Sequence, residues 1–266
     1  MAMTAEGRAL TRAHRVAQVQ VGAAAAAIVD ASWGLLDLSD LDASTPAWLA
    51  VVLGNLQSRY STSQSVAQAY LREYRSVELG SPDGPAAAPS LNVVAAGSAL
   101  TSAGPVLTKV GIRDGLAPAD AFQVAKRTVY GQFQVWSMDG GRDTLAQTAR
   151  VDQRSRRLRR VTDGNPCAFC AMLVARSIQM PGSMPADFKT HPHCGCTNEV
   201  VYGPADEQRI DESEWEFVEA YEQAAQQARE AGEPVVAPSK RRRRDTVLWR
   251  MRRNRPDLFN DGVHAH

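Results

Sequence analysis

The spacing of apolar positions along the chain predicts a mainly α-helical protein. Between residues 46 and 79, apolar side chains recur every three or four residues, which is the period of one face of an α-helix. Thr45 and Pro46 suit the N-cap and the first position of this helix. The stripe consists of Trp48, Leu49, Val52, Leu53, Leu56, Tyr60, Val66, Ala69, Tyr70 and Tyr74. We predict that its aromatic residues pack in the core.

Similar patterns predict further helices on both sides of this segment. Residues 4–30 lack proline and favour a helix, and residues 92–113 favour another that is interrupted at Gly104 and Pro105. A helix is predicted from Pro118 to a turn at residues 139–141, because Asp-Gly-Gly is typical of turns. Further helices are expected at 142–153 and 205–231. The last of these carries the apolar stripe Ile210, Trp215, Phe217, Val218, Tyr221 and Ala225.

Two short segments favour β-strands instead. Residues 157–162 alternate around Leu158 and Val161, and residues 198–202 read Asn-Glu-Val-Val-Tyr before Gly203 and Pro204 end the segment. We therefore expect a small α+β module, with a two- or three-stranded sheet near residues 157–202, attached to long N-terminal helices.

Composition adds little, but the distribution of charge is uneven. The 266 residues are 44% hydrophobic and 22% charged, which is ordinary for a globular protein, and the net charge is +1. Residues 205–233 contain ten acids and two arginines, whereas residues 240–255 contain nine basic residues and one acid. Charge blocks of this kind are typical of solvated interaction tails.

The N-terminal segment does not have the pattern of an export signal. Three arginines precede the apolar run at 21–29, but this run is short and rich in alanine. We also expect no other segment to cross a bilayer, which requires about 20 apolar residues. In a reducing cytoplasm, cysteine thiols bind metal more readily than they form structural disulfides.

All four cysteines lie within residues 167–196, together with two histidines. Cys167 and Cys170 form a C-x-x-C knuckle, and the second half offers His191, His193, Cys194 and Cys196. A structural zinc ion takes four protein ligands, so six candidate donors leave two spare. The pattern predicts a closed structural zinc site, in which metal binding offsets the ordering of the loop between the two halves.

Other chemistries for these cysteines are weaker. Disulfides between the two pairs would require oxidising conditions. A redox C-x-x-C would be expected beside a βαβ pattern, and a Cys–His nucleophile would require a third orienting residue. A catalytic zinc ion would require an open position and a general base, and the acids nearest in sequence show no such arrangement.

Arginines crowd the segment before the cysteines. Six arginines between residues 150 and 160 face the single acid Asp152. Two interpretations remain open for them: a solvated strand edge guarded by charge, and a contact with phosphate or with an acidic protein.

The basic tail has two interpretations as well. Its arginines and lysine would contact DNA or the acidic face of a neighbour, or they would pair with the chain's own acidic helix at 205–233. The candidate contact residues are Lys240, Arg241, Arg242, Arg243, Arg244, Arg250, Arg252 and Arg253. The expected regions are an N-terminal helical region (1–80), a linker (81–91), a second helical region (92–155), a zinc-binding module with a C-terminal helix (156–233) and a basic, flexible tail (234–266).

The cysteine region resembles the C-terminal module of Mu F-like minor head proteins, the head-morphogenesis family of phages. The resemblance is carried by VTDGNPCAFCAML and HPHCGCTNEVVY, and it covers about residues 145–205. The shared positions are Asp163, Cys167, Cys170, Leu173, His191, Pro192, Cys194 and Cys196. The form with CAFCAML is similar to that of phages of actinobacteria. The resemblance implies the ligands Cys167, Cys170, His191 and Cys194, with Cys196 and His193 in reserve.

The resemblance also implies a structural function and not an enzymatic one. The protein is expected to assist procapsid and head assembly inside the virion near the portal vertex, after assembly in the host cytoplasm. Its partners would be the portal, capsid and scaffold proteins, with non-specific contact to packaged DNA and none to a membrane. Two alternatives are a capsid maturation protease or other head-associated enzyme, and a zinc-containing DNA-binding protein. Against the enzyme, the sequence has no G-x-S-x-G motif and no plausible Ser/His pair. Against the DNA-binding protein, no basic helix follows the C-x-x-C knuckle.

Overall fold

The computed structural model describes residues 4–179, 190–203, 212–233, 235 and 246–261. It is mainly helical with one small sheet, as the sequence predicts. In chain order the elements are α1 (Ala5–Ala23), α2 (Ala25–Trp33), α3 (Leu41–Leu79), α4 (Val93–Thr101), a π-helical segment (Ser102–Val106), α5 (Leu107–Arg113), α6 (Pro118–Val151), β1 (Arg157–Val161), α7 (Ala168–Gln179), β2 (Thr197–Val201), α8 (Glu212–Glu230) and α9 (Thr246–Asn254). We call α1–α6 the bundle, and β1, α7, β2, α8 and α9 the cysteine module.

The bundle is built around the two long helices α3 and α6. The predicted stripe of α3 faces the core, and Trp48, Val52 and Leu56 are fully buried. Trp33 of α2 meets Trp48 edge-on, with ring centroids 6.0 Å apart. Burial of such large apolar side chains is the main stabilising contribution in a helical bundle.

The start of α3 differs from the prediction. The N-cap is Asp40, whose Oδ1 accepts a hydrogen bond from the Ala43 backbone N–H at 3.1 Å. Thr45 lies inside the helix, where its hydroxyl donates to the Leu41 carbonyl. An aspartate is as good an N-cap as threonine, so the earlier capping residue extends the helix by one turn.

The predicted turn at residues 139–141 is wrong, because α6 continues through it. A side chain at Gly140 would collide with the backbone carbonyl of Tyr60, and one at Gly141 would collide with Gln18. The Gly141 N–H instead donates to Ser63 Oγ at 2.8 Å. The glycine pair therefore lets α1, α3 and α6 approach closely, at the cost in helix propensity that glycine carries.

The interruption predicted at Gly104 and Pro105 is a single π-helical turn between α4 and α5. The helical path continues from Val93 to Arg113, and Thr108 Oγ1 donates to the Gly104 carbonyl at 3.0 Å. By length and composition this segment could cross a membrane, contrary to our expectation that none could. Such a test is weak evidence, because a core helix also passes it, and Ala96 and Leu100 are fully buried in the bundle.

The sheet has two antiparallel strands. β1 pairs with β2 in the register Arg157–Val201, Arg159–Glu199 and Val161–Thr197. All five residues of each strand are buried, because α6, α7 and α1 cover the sheet. Residues 81–92, which include the expected linker, contain no helix or strand, and the Ala87 N–H donates to Thr148 of α6 at 3.0 Å.

A second apolar core joins α7, α8 and α9. Phe217, Val247, Met251 and Phe259 are buried there, so residues 246–261 form a packed part of the module. This corrects the expectation of a flexible tail for these residues. Trp215, which we placed on the buried stripe of α8, is half exposed.

Candidate metal centre

The sheet and α7 bring the two cysteine pairs together. Cys167 directly precedes α7, and Cys170 lies in its first turn. Cys194 and Cys196 lie in the segment that enters β2, which pairs with the strand before α7. All four cysteines are free in this structure, and all four are buried.

Five donors form two groups that share one thiol. Cys167, Cys170 and His191 form the first group, and Cys170, Cys194 and Cys196 form the second; within each group the donor atoms lie within 4.8 Å of one another. His191 Nε2 lies 3.1 Å from Cys167 Sγ and 3.4 Å from Cys170 Sγ. The Sγ atoms of Cys170 and Cys194 are 3.8 Å apart.

Two of these three distances fit the edges of a tetrahedral metal site, and the Cys167–His191 distance is shorter. With metal–sulfur bonds of about 2.3 Å, two sulfur ligands lie about 3.8 Å apart, and a sulfur and an imidazole nitrogen lie about 3.5 Å apart. The Cys170–Cys194 and Cys170–His191 distances agree with these values. The cluster can therefore bind a metal ion, and Cys170, which belongs to both groups, would be its central ligand.

Hydrogen bonds and nearby cations favour the thiolate at Cys194 and Cys167, whereas hydrogen bonding to Cys167 and Cys194 raises the pKa of Cys170, and the pKa of Cys196 is raised as well. Hydrogen bonding by Cys170 and Cys196, aided by the charges of Arg142 and Arg160, holds the pKa of Cys194 far below its usual range. Hydrogen bonding by Cys170, with the charge of His191, lowers the pKa of Cys167 to about 6. Since the thiolate is the form that binds metal, the cluster is predisposed to accept a cation.

The buried Arg142 of α6 positions the second cysteine pair. Its Nη2 donates to the Cys194 carbonyl at 2.6 Å and its Nε donates to the Cys196 carbonyl at 2.8 Å. Asp139 holds the same guanidinium at 2.8 Å. Arg160 of β1 lies closer to the donors, with Nη1 3.5 Å from Cys170 Sγ and 3.8 Å from Cys194 Sγ. Outer contacts of this kind orient metal ligands.

Asp163 explains the glycine between the last two cysteines. A side chain at Gly195 would collide with the Asp163 carboxylate, which also accepts a hydrogen bond from the Asn165 backbone N–H at 3.1 Å. Burial raises the pKa of Asp163 above its ordinary value. The loop before α7 and the C-G-C segment therefore fit together only with glycine at this position.

His193 points toward the bundle. Its backbone is left-handed, with φ of 65°, and its ring packs on Tyr130 with centroids 5.4 Å apart. A side chain at Gly131 would meet the ring of His193 at 2.7 Å, so this glycine admits the histidine. Of the two reserve donors, Cys196 lies in the cluster and His193 packs against α6.

The structure brings the four predicted ligands into one cluster without deciding which four donors bind. Cys194 groups with Cys196, and His191 groups with Cys167, so the set Cys167, Cys170, His191 and Cys194 stays a prediction. The sequence reasoning missed Arg142 and Asp139. Asp139 belongs to the segment mistaken for a turn, and no local pattern links either residue to the cysteines.

The arginines of β1 neither guard a solvated strand edge nor face an external phosphate or acidic protein. Arg159 is buried and pairs with Glu199 of β2 and, at 2.6 Å, with Glu214 of α8. Arg157 donates to the Ser177 carbonyl at 2.8 Å, while Arg160 faces the cysteines. These side chains connect parts of the same chain, which corrects both the solvated edge and the external contact for them.

The candidate tail residues divide into two sets. Lys240, Arg241, Arg242, Arg243 and Arg244 lie outside the described residues. Arg250 pairs with Glu233 at 3.1 Å, Arg252 pairs with Asp261 at 2.7 Å, and Arg253 lies over the ring of Trp249. Arg255 also pairs with Glu216 of α8 at 3.3 Å. Pairing with the chain's own acidic helix is therefore present in the described part of the tail.

The comparisons with known proteins give a family but no close relative. No curated protein and no solved structure matches this chain. A family model described as "VG15 protein" matches residues 4–228, which span the bundle and most of the cysteine module. The chain therefore belongs to the VG15 protein family, and this membership indicates a phage-encoded protein.

Proposed function

We propose that this protein is a minor structural component of the phage head that assists assembly near the portal. Membership of a phage family supports this proposal, as does the resemblance of the cysteine segments to Mu F-like minor head proteins. The proposed site of action is the capsid interior, with portal, capsid and scaffold proteins as partners.

We further infer that the metal is zinc and that its function is structural. The observation that carries this inference is the cluster of four buried thiols, Cys167, Cys170, Cys194 and Cys196, with the partly buried His191. The four thiols are at most 8% exposed, which favours a closed site over one with a position open to substrate. A sulfur-rich tetrahedral donor set favours zinc over harder cations.

Metal analysis of the purified chain tests the zinc inference. We expect about one zinc ion per chain, retained through gel filtration and released by a strong chelator. Near-zero metal after purification under reducing conditions with added zinc would contradict it.

Co-expression with the portal protein of the same phage tests the assembly proposal. We expect the two proteins to copurify, and a phage with this gene disrupted should produce few complete heads. Normal heads without the protein would contradict the proposal. Hydrolysis of capsid protein by the purified chain would favour the maturation protease instead.

A further inference from the structure

Three arginines on α1 lie on one face of the helix. Arg8, Arg12 and Arg15 are four and three residues apart, which places them on the same side. Within the described residues none of them takes part in an ion pair, whereas most other buried or half-buried arginines do. Together they present three cationic groups that form no ion pair within the described residues, although Arg15 is close enough to Asp163 to lower the pKa of its carboxyl against the effect of burial.

These arginines line a small cavity where α1 meets β1, β2 and the start of α8. Its volume is about 30 Å³, more than the ~10–15 Å³ that one ordered water needs. The lining contains four guanidinium groups and two carboxylates, a net charge of +2. The lining residues are Arg8, Thr11, Arg12, Arg15, Arg159, Val161, Thr162, Glu199 and Glu214.

The two carboxylates of the lining differ in how many of their hydrogen-bond acceptors are satisfied. Glu199 is saturated, because it accepts from Thr11 at 2.9 Å, from Tyr74 at 3.2 Å and from Arg159. Glu214 accepts from Arg159 through Oε1 at 2.6 Å, but its Oε2 is buried without a hydrogen-bond partner. The Nη1 atom of Arg8 is also buried without a partner. The cavity wall therefore carries one unmatched acceptor and one unmatched donor, and unmatched buried polar atoms are costly.

A ligand that satisfies both atoms must accept from arginine and donate to a carboxylate. A tetrahedral oxyanion accepts from several guanidinium groups at once. Only an oxyanion that keeps a proton can also donate to Glu214. Sulfate and phosphodiesters lack this proton, whereas inorganic phosphate and a singly protonated phosphate monoester have it.

We propose that the cavity between α1, β1 and α8 is a phosphate-binding site, in which Arg8, Arg12 and Arg15 bind the oxyanion and Glu214 accepts the hydrogen bond of its P–OH group. The source of the phosphate is a free phosphate ion or the terminal phosphate of a nucleotide or nucleic acid. This site is separate from the cysteine cluster and does not depend on the proposed role in the head.

Titration calorimetry of the full chain at a pH of about 6 tests the site with sodium phosphate, a nucleoside 5′-monophosphate, sodium sulfate and duplex DNA without terminal phosphates. We expect phosphate to bind at least about tenfold more tightly than sulfate, because a charged hydrogen bond is worth more than one power of ten. Preference for the nucleotide over the free ion would identify a nucleotide or nucleic-acid end as the source.

Three variants separate a built site from general basicity. Arg12 is exposed, so Arg12→Gln should fold and should weaken phosphate binding about tenfold. Arg72→Gln, which removes an exposed arginine of α3, should leave the affinity unchanged. Glu214→Gln should reduce the preference for phosphate over sulfate, since an amide donates to sulfate as well.

Two outcomes would overturn the proposal. Equal affinities for phosphate and sulfate, reduced equally by Arg12→Gln and Arg72→Gln, would indicate unspecific attraction. No binding up to ~10 mM phosphate would mean that an ordered water alone satisfies Arg8 and Glu214.

Discussion

The bundle and the cysteine module are stabilised by different kinds of contact. The bundle core consists of large apolar side chains such as Trp48, Leu56 and Phe133, all fully buried. The module buries Arg159, Arg160 and Glu199 beside four thiols, and its apolar core of α7, α8 and α9 is small. The contributions of buried apolar side chains to stability add up, so the loss of one leaves the others in place. Buried charges and thiols stabilise the fold only when every partner is present. The two regions should therefore fail in different ways.

The largest expected effect is loss of the candidate metal ligand Cys170. Because this thiol belongs to both donor groups, Cys170→Ser should abolish metal binding and unfold the module, while the helices of the bundle persist. Structural zinc contributes on the order of 10 kcal/mol in small domains. Metal content and limited proteolysis measure the result. Cys196→Ser is the matched control, and we expect it to keep the metal; a Cys170→Ser protein that retains it would refute the assignment.

A substitution in the bundle core should destabilise the protein strongly, and the size of this effect should not depend on metal. Trp48→Ala removes a fully buried side chain, so the free energy of unfolding should fall by about 3–5 kcal/mol. Chelator should not alter this difference, measured by urea unfolding. Val51→Ala, at a half-exposed position three residues along the same helix, should cost less than about 1 kcal/mol.

The close approach of α3 and α6 predicts smaller changes in stability at two glycines, Gly140 and Gly54. Alanine should destabilise the protein at the first and stabilise it at the second. Gly140→Ala should destabilise the protein by roughly 1–3 kcal/mol, because the new methyl group collides with the Tyr60 carbonyl. Gly54→Ala, where the structure leaves open space on α3, should stabilise it by about 0.5–1 kcal/mol through helix propensity. Thermal unfolding of both variants checks the pair, and a neutral Gly140→Ala would disprove the close packing.

The last effect concerns Asp143 and depends on pH. Burial, with the charge of Asp139 adding to it, raises the pKa of Asp143 to about 6, and Tyr60 donates to it at 3.0 Å. Between pH values of about 4 and 6 the folded state holds a proton that the unfolded state has lost, so stability falls as pH rises through this window.

Asp143→Asn removes this titration but keeps an acceptor for Tyr60. It should raise the free energy of unfolding by roughly 1–2 kcal/mol at pH ~7.5 and by much less at pH ~4. Denaturant unfolding at the two pH values measures the difference. Glu73→Gln on the exposed face of α3 should change stability by less than about 0.5 kcal/mol at both. A gain that is equal at both pH values would exclude the titration.

The local sequence pattern was sufficient to predict most helices of the bundle and the two strands of the sheet. The three- and four-residue spacing of Trp48, Val52 and Leu56 predicted the buried face of α3, because a helix places such residues on one side. The strand at 157–161 and the approach of the two cysteine pairs also followed from composition and spacing. The predicted stripe failed at Trp215, since burial depends on which neighbour covers a face.

Errors arose wherever a residue serves a distant partner. Asp-Gly-Gly at 139–141 resembles a turn locally, yet two neighbouring helices need those glycines for close contact. The arginines of β1 resemble a solvated edge, but Glu199 and Glu214 neutralise Arg159 inside the protein.

By itself, the sequence determined the helical class, the short strand pair and the donor types of the cysteine–histidine cluster, because these depend on residue chemistry and on separations along the chain. The tertiary structure alone decided that Cys170 is shared by two donor groups, that Arg142 holds the carbonyls of Cys194 and Cys196, and that α1 closes a cationic cavity. The physical reason is that these features require atoms from distant segments to meet within a few ångströms, and no local pattern specifies such a meeting.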